Sequence, residues 1–428
     1  MFLIKEKSLS FNAKTQSYFL SKVYRMHEQI KEKLPFSLET HIAKAWNFYT
    51  NKLGSPKHIC APMVDQSDLA FRMLTRKYKA DLCYTPMMNS KIMIQDKGYL
   101  KANFEIDAAD RPLFVQLCGN DPQTVLKAAQ MVENDCEAVD LNLGCPQGIA
   151  KKGHYGSFLL KEPELICQMV SILYDNLKIP VTCKMRILSN EEETIDLCKR
   201  IEEAGCSILT IHGRTKEQNK DYVGEANWDI IKKIRTIIKI PIFCNGGIYN
   251  YADVEKCLEY TKVQGIMSSE ALLENPCLFA NKIYDLDLIA LEYLDMCLKY
   301  KSDIKYIKPH LFKFLHSGLS CNHDLRERLA KGNSFEEFLE ITTILQKRRE
   351  NIKPDDKFGW YWRYQNKVKK EENKEKKQEI KNEKMENNGK IEEESKAQNE
   401  DPEEIKDILI KKRKKDENDK TQYMIFKK

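Results

Sequence analysis

The residues best suited to chemistry in this sequence follow short apolar segments, and Cys145 is the clearest of them. It lies just beyond the fourth segment, between a glycine that permits a tight turn and a proline that stiffens the chain after it. A thiol on such a loop can give a proton to a substrate or attack it. Because a single cysteine is more often a small buried core residue, its role has to be judged from the ends of the other segments.

Charged and amide side chains end three of those segments. Lys184 and Arg186 share one face of the fifth, where two cations repel each other unless an anion or an electron-rich ring lies between them. His212 ends the sixth segment, and the glycine and Arg214 after it favour a ligand contact over the core histidine that is commoner in strands. Gln116 ends the third segment, where its amide can donate to and accept from the edge of a flat heterocycle.

Small residues end the last two segments, in the runs Asn245-Gly246-Gly247 and Ser269-Glu270. Loops after the seventh and eighth strands of a barrel commonly bind a phosphate through backbone N–H groups, and glycines allow the close approach. A Gly-Gly pair also occurs in ordinary turns, so its place in the order of the segments carries this prediction. Glu270 disfavours a crowded anion pocket unless its side chain turns away.

Eight apolar segments separated by helical patterns predict the α/β class and a (β/α)8 TIM barrel, with the active site at the carboxyl ends of its strands. Apolar residues at helical spacing between the segments indicate buried helix faces. The expected strands are His58–Ala61, Asp81–Tyr84, Leu113–Leu117, Ala138–Asn142, Val181–Arg186, Ile208–His212, Ile242–Asn245 and Gly265–Ser268.

Polar and apolar residues alternate along the fourth, fifth and sixth segments. On the fifth, Thr182 shares a face with Lys184 and Arg186, and apolar side chains occupy the opposite face. The apolar faces of barrel strands pack on the surrounding helices. We therefore expect the polar faces to point into the barrel and towards its mouth.

Composition divides the chain into four parts: a leader at 1–55, the barrel at 56–285, a small all-α domain at 286–352 and a low-complexity charged tail at 353–428. The leader is polar, with one helix expected over Glu39–Phe48. The tail cannot bury enough apolar surface to become ordered, so we expect disorder or a solvated single helix. The helices expected in the all-α domain are Leu288–Tyr300, Lys308–Leu319, His323–Lys331 and Phe335–Glu350.

Overall composition limits the class of protein. The net charge of +6, from 70 basic and 64 acidic residues, permits an acidic partner such as RNA without demanding one. The 14 cysteines include no Cys-x-x-Cys pair, which favours reduced thiols over a metal site or a disulfide framework. The sequence lacks an apolar run of the roughly 20 residues that span a bilayer, and its first residues become charged too early for a secretory signal. We expect a monomer in the cytoplasm or nucleus, with no membrane or metal partner.

Several long motifs, found in order along the chain, resemble those of the tRNA-dihydrouridine synthases. The branch that they resemble is the eukaryotic one associated with positions 16 and 17 of the tRNA D-loop. The resemblance covers roughly residues 45–350, and neither the start of the leader nor the tail is explained by it. The matching motifs are Ala61-Pro62-Met63-Val64-Asp65-Gln66-Ser67, Leu82-Cys83-Tyr84-Thr85-Pro86-Met87, Asp140-Leu141-Asn142-Leu143-Gly144-Cys145-Pro146-Gln147, Lys152-Gly153-His154-Tyr155-Gly156, Cys183-Lys184-Met185-Arg186 and His212-Gly213-Arg214-Thr215-Lys216-Glu217-Gln218.

The resemblance implies an FMN-bound barrel, a helical tRNA-binding domain and a set of site residues. Many members of the family carry Gly-Arg where this chain has Ser269-Glu270, which removes an arginine from the phosphate end. By resemblance, Cys145 is the proton donor. The implied cofactor contacts are Pro62, Met63 and Val64 against the flavin, Gln116, Lys184 and His212 on its ring or ribityl chain, and Asn245, Gly246, Gly247, Ser269 and Glu270 at its phosphate. The implied substrate contacts are Asn142, Arg186 and Arg214.

The reaction implied by the resemblance is the reduction of the C5=C6 bond of uridine. NADPH or NADH reduces FMN, the flavin delivers hydride to C6 of the uracil, and Cys145 protonates C5. A thiol with an ordinary pKa is mostly protonated at neutral pH, as an acid must be. The target base of the D-loop has to leave its stack to reach the flavin, which costs a few kcal/mol.

Basic residues after the barrel can offset that cost through phosphate contacts, although such side chains are as often simply solvated. The segment 358–364 mixes aromatics with an arginine and either stacks on bases or packs back on the protein. The run Lys411–Lys415 serves nuclear import or RNA affinity, or is an ordinary part of a charged tail. The candidate phosphate contacts are Lys305, Lys308, Lys313, Arg326 and Arg328.

Two other functions fit a barrel of this kind. The first is an FMN-dependent reductase of a free small molecule, which the helical extension and the basic positions disfavour. The second is a catalytically silent RNA-binding protein, which the presence of Cys145, Lys184 and His212 together disfavours. Flavin absorbance of the purified protein separates the silent alternative from both reductases.

Overall fold

A closed parallel barrel forms the centre of the computed structural model, which describes residues 36–219, 222–282 and 284–349. Its strands are β1 His58–Cys60, β2 Leu82–Tyr84, β3 Met88–Asn89, β4 Leu113–Cys118, β5 Ala138–Leu143, β6 Val181–Arg186, β7 Leu209–His212, β8 Ile242–Asn245 and β9 Gly265–Ser268. β1 pairs with β9 and β2 pairs with β4, so eight strands close into a ring and the short β3 lies beside β4. The predicted TIM barrel is confirmed, and all eight predicted strands are present to within one residue at either end.

Helices follow most strands and surround the barrel. Several begin at a side chain that accepts a backbone N–H: Asp121, Asn190, Asn227 and Asn250 each cap one. The helices are α1 Leu38–Asn47, α2 Leu69–Lys77, α3 Ser90–Gln95, α4 Lys97–Asn103, α5 Pro122–Gln130, α6 Gly148–Gly153, α7 Pro163–Asn176, α8 Glu191–Glu203, α9 Trp228–Ile237, α10 Tyr251–Thr261, α11 Glu270–Glu274, α12 Leu286–Tyr300, α13 Ile304–Phe314, α14 His316–Cys321, α15 His323–Lys331 and α16 Phe335–Arg349.

The amino-terminal end of the barrel is filled by residues that precede β1. After α1 the chain makes a π-helical turn at Phe48–Lys52. The Phe48 ring stacks on Phe114 inside the barrel at a centroid distance of 6.0 Å, and the Tyr49 hydroxyl donates to the carbonyl of Gln264 at 3.0 Å. Both side chains are buried. The last residues of the predicted leader therefore contribute to the barrel core, which leaves the opposite end for a site.

One predicted helix after the barrel is divided in two. The prediction of a single helix over Lys308–Leu319 is wrong, because α13 ends at Phe314 and α14 begins at His316. Leu315 lies between them with ψ at 11°, outside helical values, and its side chain is buried. The apolar spacing continues across this break, so periodicity alone could not reveal it.

Contacts from α13 fix the loop that follows β1. His310 of α13 lies 3.0 Å from the carboxylate of Asp68, and both side chains are buried. The imidazole also stacks on Phe71 of α2, with ring centroids 4.5 Å apart. Asp68 accepts the backbone N–H of Phe71 as well, so one carboxylate caps α2 and holds α13. The helices after the barrel thereby support a loop at its mouth.

A buried ion-pair cluster supports the same region and allows a stability prediction. The fully buried Asp110 accepts from Arg72 Nε and from Arg76 Nε, each at 2.8 Å. An Asp110→Ala variant leaves two cations without their carboxylate in the interior, and we expect unfolding to need about 3–5 kcal/mol less free energy. Urea denaturation followed by circular dichroism measures this loss.

The matched control removes an exposed ion pair. Glu327 and Lys331 are one turn apart on α15, and both side chains are largely solvent-exposed. A Glu327→Ala variant should leave the urea midpoint almost unchanged, since exposed pairs contribute little. Equal losses in the two variants would contradict the structural role of Asp110.

Candidate active site

A band of polar side chains lines the barrel at the carboxyl ends of its strands. Gln116, Asn142, Lys184, His212 and Asn245 come from five neighbouring strands, β4 to β8, and lie at inward positions. Strand register supports this: Asn142 pairs with Lys184, and His212 pairs with Asn245. The inward direction predicted for the polar faces is what brings these residues together. Side chains that are distant in sequence thus form one polar surface at the mouth.

Hydrogen bonds fix the loop that carries Cys145. Asn142 donates through Nδ2 to Gln116 Oε1 at 2.7 Å, and its own Oδ1 accepts the backbone N–H groups of Gly144 at 3.1 Å and Cys145 at 3.0 Å. The carbonyl of Cys145 accepts from the hydroxyl of Ser157 at 2.9 Å. The backbone on both sides of the sulfur is therefore held in place.

Gly156 and Ser157 are residues of this site that sequence reasoning did not assign to it. Gly156 has a φ of +68°, and a Cβ added there would lie 2.8 Å from the Cys145 carbonyl oxygen. Glycine is thus required both for its backbone conformation and for the close approach. The sequence does contain a signal for Gly156, because it ends one of the motifs that resemble the family. That motif does not show what Gly156 contacts.

The Cys145 thiol is partly exposed in apolar surroundings. Its side chain, like those of Met87 and Phe158, packs against a buried cluster that contains Cys118 and Tyr155. Burial raises the pKa of the Cys145 thiol above its ordinary value, and the opposing effect of Arg186 and Lys184 is smaller. The thiol is therefore protonated at neutral pH, which suits a proton donor better than a nucleophile.

Lys184 places a cation inside the mouth, beside the amide of Asn245. Its Nζ donates to Asn245 Oδ1 at 3.0 Å, and Asn245 Nδ2 in turn donates to the carbonyl of Met267 at 2.9 Å. This second bond fixes which way the Asn245 amide points. Burial, reinforced by the positive charge of Arg186, lowers the pKa of Lys184 to about 8. A negatively charged ligand at this position would restore the proton to Lys184.

Arg186 connects two loops at the mouth. Its Nε donates to the carbonyl of Gly144 at 3.0 Å, and its Nη1 donates to the carbonyls of Thr215 and Gln218 at 2.7 and 3.0 Å. The loop of Cys145 is thereby tied to the loop after β7. Burial and the neighbouring Arg214 lower the pKa of Arg186 to about 10. The predicted substrate contact lies beside Cys145, with much of its guanidinium already engaged by carbonyls.

His212 is neutral, and its tautomer is set by Arg214. Burial and three neighbouring cations hold the pKa of His212 well below its usual range. Nη1 of Arg214 lies 3.2 Å from His212 Nε2, and Nε of Arg214 donates to the carbonyl of Gly224 at 3.1 Å. Because a guanidinium only donates, Nε2 accepts and Nδ1 carries the proton. His212 is therefore a donor through Nδ1.

The two glycines after β8 let the backbone pass close to aromatic side chains. Gly246 and Gly247 have φ values of +98° and +78°. A Cβ on Gly246 would lie 2.8 Å from the His212 ring, and one on Gly247 would lie 3.0 Å from Nε1 of Trp228. Trp228 also donates to the carbonyl of Gly246 at 3.0 Å. These contacts, and not chain flexibility, require glycine at both positions.

Ser269 and Glu270 lie at the end of β9 and the start of α11, and both are partly buried. Burial raises the pKa of Glu270, and the cations that oppose this effect are Arg214, Lys313 and Arg186, in that order. Its carboxylate thus lies among the cations of the mouth. An anion pocket at this position requires the Glu270 side chain to turn away from it. The charged neighbours of Glu270 include Arg214 and Arg186, which are the predicted substrate contacts.

The loop after β1 carries the three predicted flavin contacts. Met63 is bonded to Ser67 in both directions: its N–H donates to Ser67 Oγ at 3.0 Å, and its carbonyl accepts from Oγ at 3.2 Å. Pro62 and Met63 are partly buried, and Val64 is 52% exposed. Nζ of Lys313 donates to the Gln66 side chain of this loop. The loop is thus held from within and from α13.

The basic residues predicted to contact phosphates differ in position. Lys313 is partly buried at the mouth, and this burial lowers its pKa to about 8. Lys308 instead donates to the carbonyl of Ala330 and to Asn333, and Arg328 pairs with Glu340. Lys305 lies 3.7 Å from the carboxylate of Asp303. Arg326 is exposed on α15. Lys313 is therefore the member of this set that hydrogen-bonds to the loop after β1, through Gln66.

Two negative findings concern the described part of the chain alone. Among residues 36–219, 222–282 and 284–349, no group of three or more His, Cys, Asp or Glu side chains is arranged to hold a metal ion. No helix in these ranges is both long enough and apolar enough to cross a bilayer. The predictions for segment 358–364 and for the run Lys411–Lys415 lie outside the described residues.

Comparison with known proteins gives a consistent result. The family model described as dihydrouridine synthase matches residues 59–385. A Mus musculus protein named tRNA-dihydrouridine(16/17) synthase, NAD(P)(+)-like, is 41% identical over 330 residues, which cover 74% of this chain and 70% of that protein. Proteins named tRNA-dihydrouridine(16/17) synthase from Schizosaccharomyces pombe and Saccharomyces cerevisiae are 42% and 43% identical, over 71% and 66% of this chain and 80% and 71% of their own lengths. The chain belongs to the dihydrouridine synthase family.

Proposed function

We propose that this protein reduces uridine to 5,6-dihydrouridine at positions 16 and 17 of the tRNA D-loop, with NAD(P)H as electron donor. The names of the relatives at 41–43% identity support the substrate and the donor. One observation in this chain carries the chemistry: a protonated thiol, that of Cys145, is fixed at a barrel mouth lined with cations and amides. This combination suits the reduction of an electron-poor double bond, which requires a proton donor and groups that stabilise negative charge.

We propose FMN as the resident cofactor, and the donor set at the mouth fits it. A flavin ring presents carbonyl and nitrogen atoms along its edge, and it carries negative charge when reduced. Lys184 offers an ammonium, neutral His212 offers Nδ1–H, and Gln116 offers an amide that can both donate and accept. Met63 and Val64 would lie against the ring, and the backbone at Gly246 and Gly247 would approach the phosphate end. When bound, reduced FMN supplies the hydride that C6 of uracil accepts.

The protein's own residues complete the reduction. Hydride addition at C6 moves the electrons of the C5=C6 bond towards C5 and O4, where Lys184 and Arg186 stabilise the developing negative charge. Cys145 gives its proton to C5 and forms the second new C–H bond. The thiolate then regains a proton from solvent, which the partial exposure of Cys145 permits. Asn142 holds the Cys145 loop in position throughout.

Binding of the RNA has to offset the cost of unstacking the target base, which is a few kcal/mol. Arg214, in the loop after β7, and Lys313, on α13, are cations at the mouth that can contact phosphates of the RNA backbone. We propose these two residues as contacts to the unstacked part of the D-loop.

Mapping of dihydrouridine in cellular tRNA tests the proposed function. Cells lacking the protein should lose dihydrouridine at positions 16 and 17. They should keep it at positions 20a and 20b, because other relatives are named as the synthases of those positions. Return of the wild-type gene should restore the lost sites. Unchanged dihydrouridine at 16 and 17, or reduction of free uridine by the purified protein as fast as of tRNA, would contradict the proposal.

The lowered pKa of Lys184 predicts a pH-dependent affinity for FMN. In the ligand-free protein the Lys184 ammonium loses its proton as the pH rises through about 8. An electron-rich, phosphorylated ligand binds the charged form better, so its dissociation constant should rise several-fold, at most about tenfold, between roughly pH 7 and 9. Quenching of flavin fluorescence measures it. A Lys184→Arg variant does not titrate in this range, and equal pH dependence in both proteins would contradict the prediction.

We also propose that the protein is a monomer that works in the cytoplasm, with access to the nucleus. Its cysteine-rich composition without paired spacing is typical of a reducing compartment. Gel filtration with light scattering and fractionation of cells test the two parts. A stable dimer or a membrane-enclosed location would overturn them.

A further inference from the structure

Asp140 is a fully buried carboxylate below the reaction centre that the mechanism above does not use. It lies on β5 two residues before Asn142, on the same face of the strand. Its Oδ2 accepts from Gln116 Nε2 at 2.8 Å, and its Oδ1 accepts from the hydroxyl of Thr182 at 2.7 Å. A buried carboxylate is costly to retain. Its partners therefore suggest what it does.

The hydrogen bonds from Asp140 continue to Cys145 in one direction. The carboxylate accepts from the amide nitrogen of Gln116, which leaves Gln116 Oε1 to accept from Asn142 Nδ2 at 2.7 Å. Asn142 must then present Oδ1 to the backbone N–H of Cys145, and it does so at 3.0 Å. This series of hydrogen bonds begins at an acceptor, the Asp140 carboxylate, and ends at a donor, the backbone N–H of Cys145. The orientation of both amides is therefore determined, and neither can flip alone without placing like groups against each other.

We propose that Asp140 is a positioning residue, which sets the orientation of Gln116 and Asn142 and through them the place of the Cys145 loop. The proposal rests on the proposed function for its activity readout alone. Ionisation of Asp140 supports it: burial raises its pKa to about 6, and its hydrogen bonds oppose this rise, so the group is mainly a carboxylate at neutral pH. The same interaction fixes the orientation of the Gln116 amide, which is a proposed flavin contact. Thr182 bonds to Asp140 but lies outside this chain of bonds.

Exchange of the two side-chain types gives a sharp test. In Asn142→Asp alone, two carboxylates compete for the amide nitrogen of Gln116. The carboxylate that does not bond to this nitrogen faces Gln116 Oε1, which is also an acceptor. In the double variant Asp140→Asn/Asn142→Asp, every bond can form again with the amides reversed. The new amide at position 140 then donates to Gln116 Oε1, and Gln116 donates to the new carboxylate at position 142. That carboxylate still accepts from the Cys145 N–H, and the hydroxyl of Thr182 still has an oxygen to bond.

We expect Asn142→Asp to lower kcat for tRNA about 100-fold, since displacement of a reacting group by about 1 Å has this effect. The double variant should recover at least tenfold of that loss. Thr210→Val, the control, changes a buried threonine of the neighbouring strand β7 that lies outside this chain of bonds, and it should stay near the wild-type value. Melting temperatures are measured on the same preparations, and recovery of a lost melting temperature in the double variant counts as support. A double variant no better than Asn142→Asp in kcat and melting temperature would overturn the proposal.

A second readout is independent of enzyme activity. The rate at which iodoacetamide alkylates Cys145, followed by peptide mass spectrometry, reports the position of the loop. This rate should change at least threefold in Asn142→Asp and return to the wild-type value in the double variant. If the wild-type protein fails to reduce tRNA while alkylation follows this pattern, the proposed function fails and the positioning role stands. Equal alkylation rates in all variants would overturn the positioning role.

Discussion

A Cys145→Ala variant is expected to form dihydrouridine in tRNA about 10²–10⁴-fold more slowly than the wild-type protein. The thiol is the group at the mouth that burial keeps protonated, so its loss leaves C5 without a positioned acid. Its loop is held by backbone bonds to Asn142 and Ser157, which alanine keeps. The variant should therefore bind flavin normally. Single-turnover formation of dihydrouridine and the flavin absorbance of the same preparation measure both quantities.

Cys321→Ala is the matched control. Cys321 is an exposed thiol at the end of α14, far along the chain from the barrel strands. Its replacement should change neither rate nor flavin content. If Cys145→Ala reduced tRNA as fast as this control, the proton would have to come from water or from another side chain, and Cys145 would have no place in the mechanism.

Lys184→Gln is the substitution with the second-largest expected effect. Glutamine is nearly as long as lysine but neutral, so it removes the charge that faces both the cofactor and the developing negative charge on the uracil. Loss of one such preorganised donor typically slows an enzyme about 10²–10³-fold. The variant should also be purified with less flavin than the wild-type protein. The rate of dihydrouridine formation, measured with saturating added FMN, separates the effect on chemistry from the effect on flavin binding.

Lys178→Gln serves as its control, because this lysine has the same chemistry and its side chain is 79% exposed. Its replacement should leave rate and flavin content unchanged. Wild-type rates in Lys184→Gln would mean that the cation inside the barrel takes no part in the reaction. Its hydrogen bond to Asn245 would then be purely structural.

The strands were predictable because their signals are local. Alternation of polar and apolar residues on β6, for example, indicates which side of the strand carries Lys184 and Arg186, and the barrel then brings this face to the mouth. The ends of the strands follow from short apolar runs bounded by polar residues. The candidate site residues came together for the same reason, since each ends a different strand.

The remaining features depend on contacts between residues far apart in sequence, which no local pattern encodes. The bond between Lys313 and Gln66 joins α13 to the loop after β1, and the guanidinium of Arg186 reaches the carbonyls of two separate loops. The family resemblance assigns Glu270 to a phosphate site, and its electrostatic neighbours become apparent only once α11 and α13 are placed. The role of Asp140 likewise requires the distances to its partners.

Reoxidation of the reduced flavin by tRNA tests most directly the claim that this protein reduces uridine in tRNA. The full chain, reconstituted with FMN and reduced with NADPH under anaerobic conditions, is mixed with an unmodified tRNA transcript while flavin absorbance is recorded. We expect the flavin to be reoxidised and one dihydrouridine to form for each flavin, at position 16 or 17. A protein that binds no flavin, or a reduced flavin that stays reduced in the presence of tRNA, would contradict it.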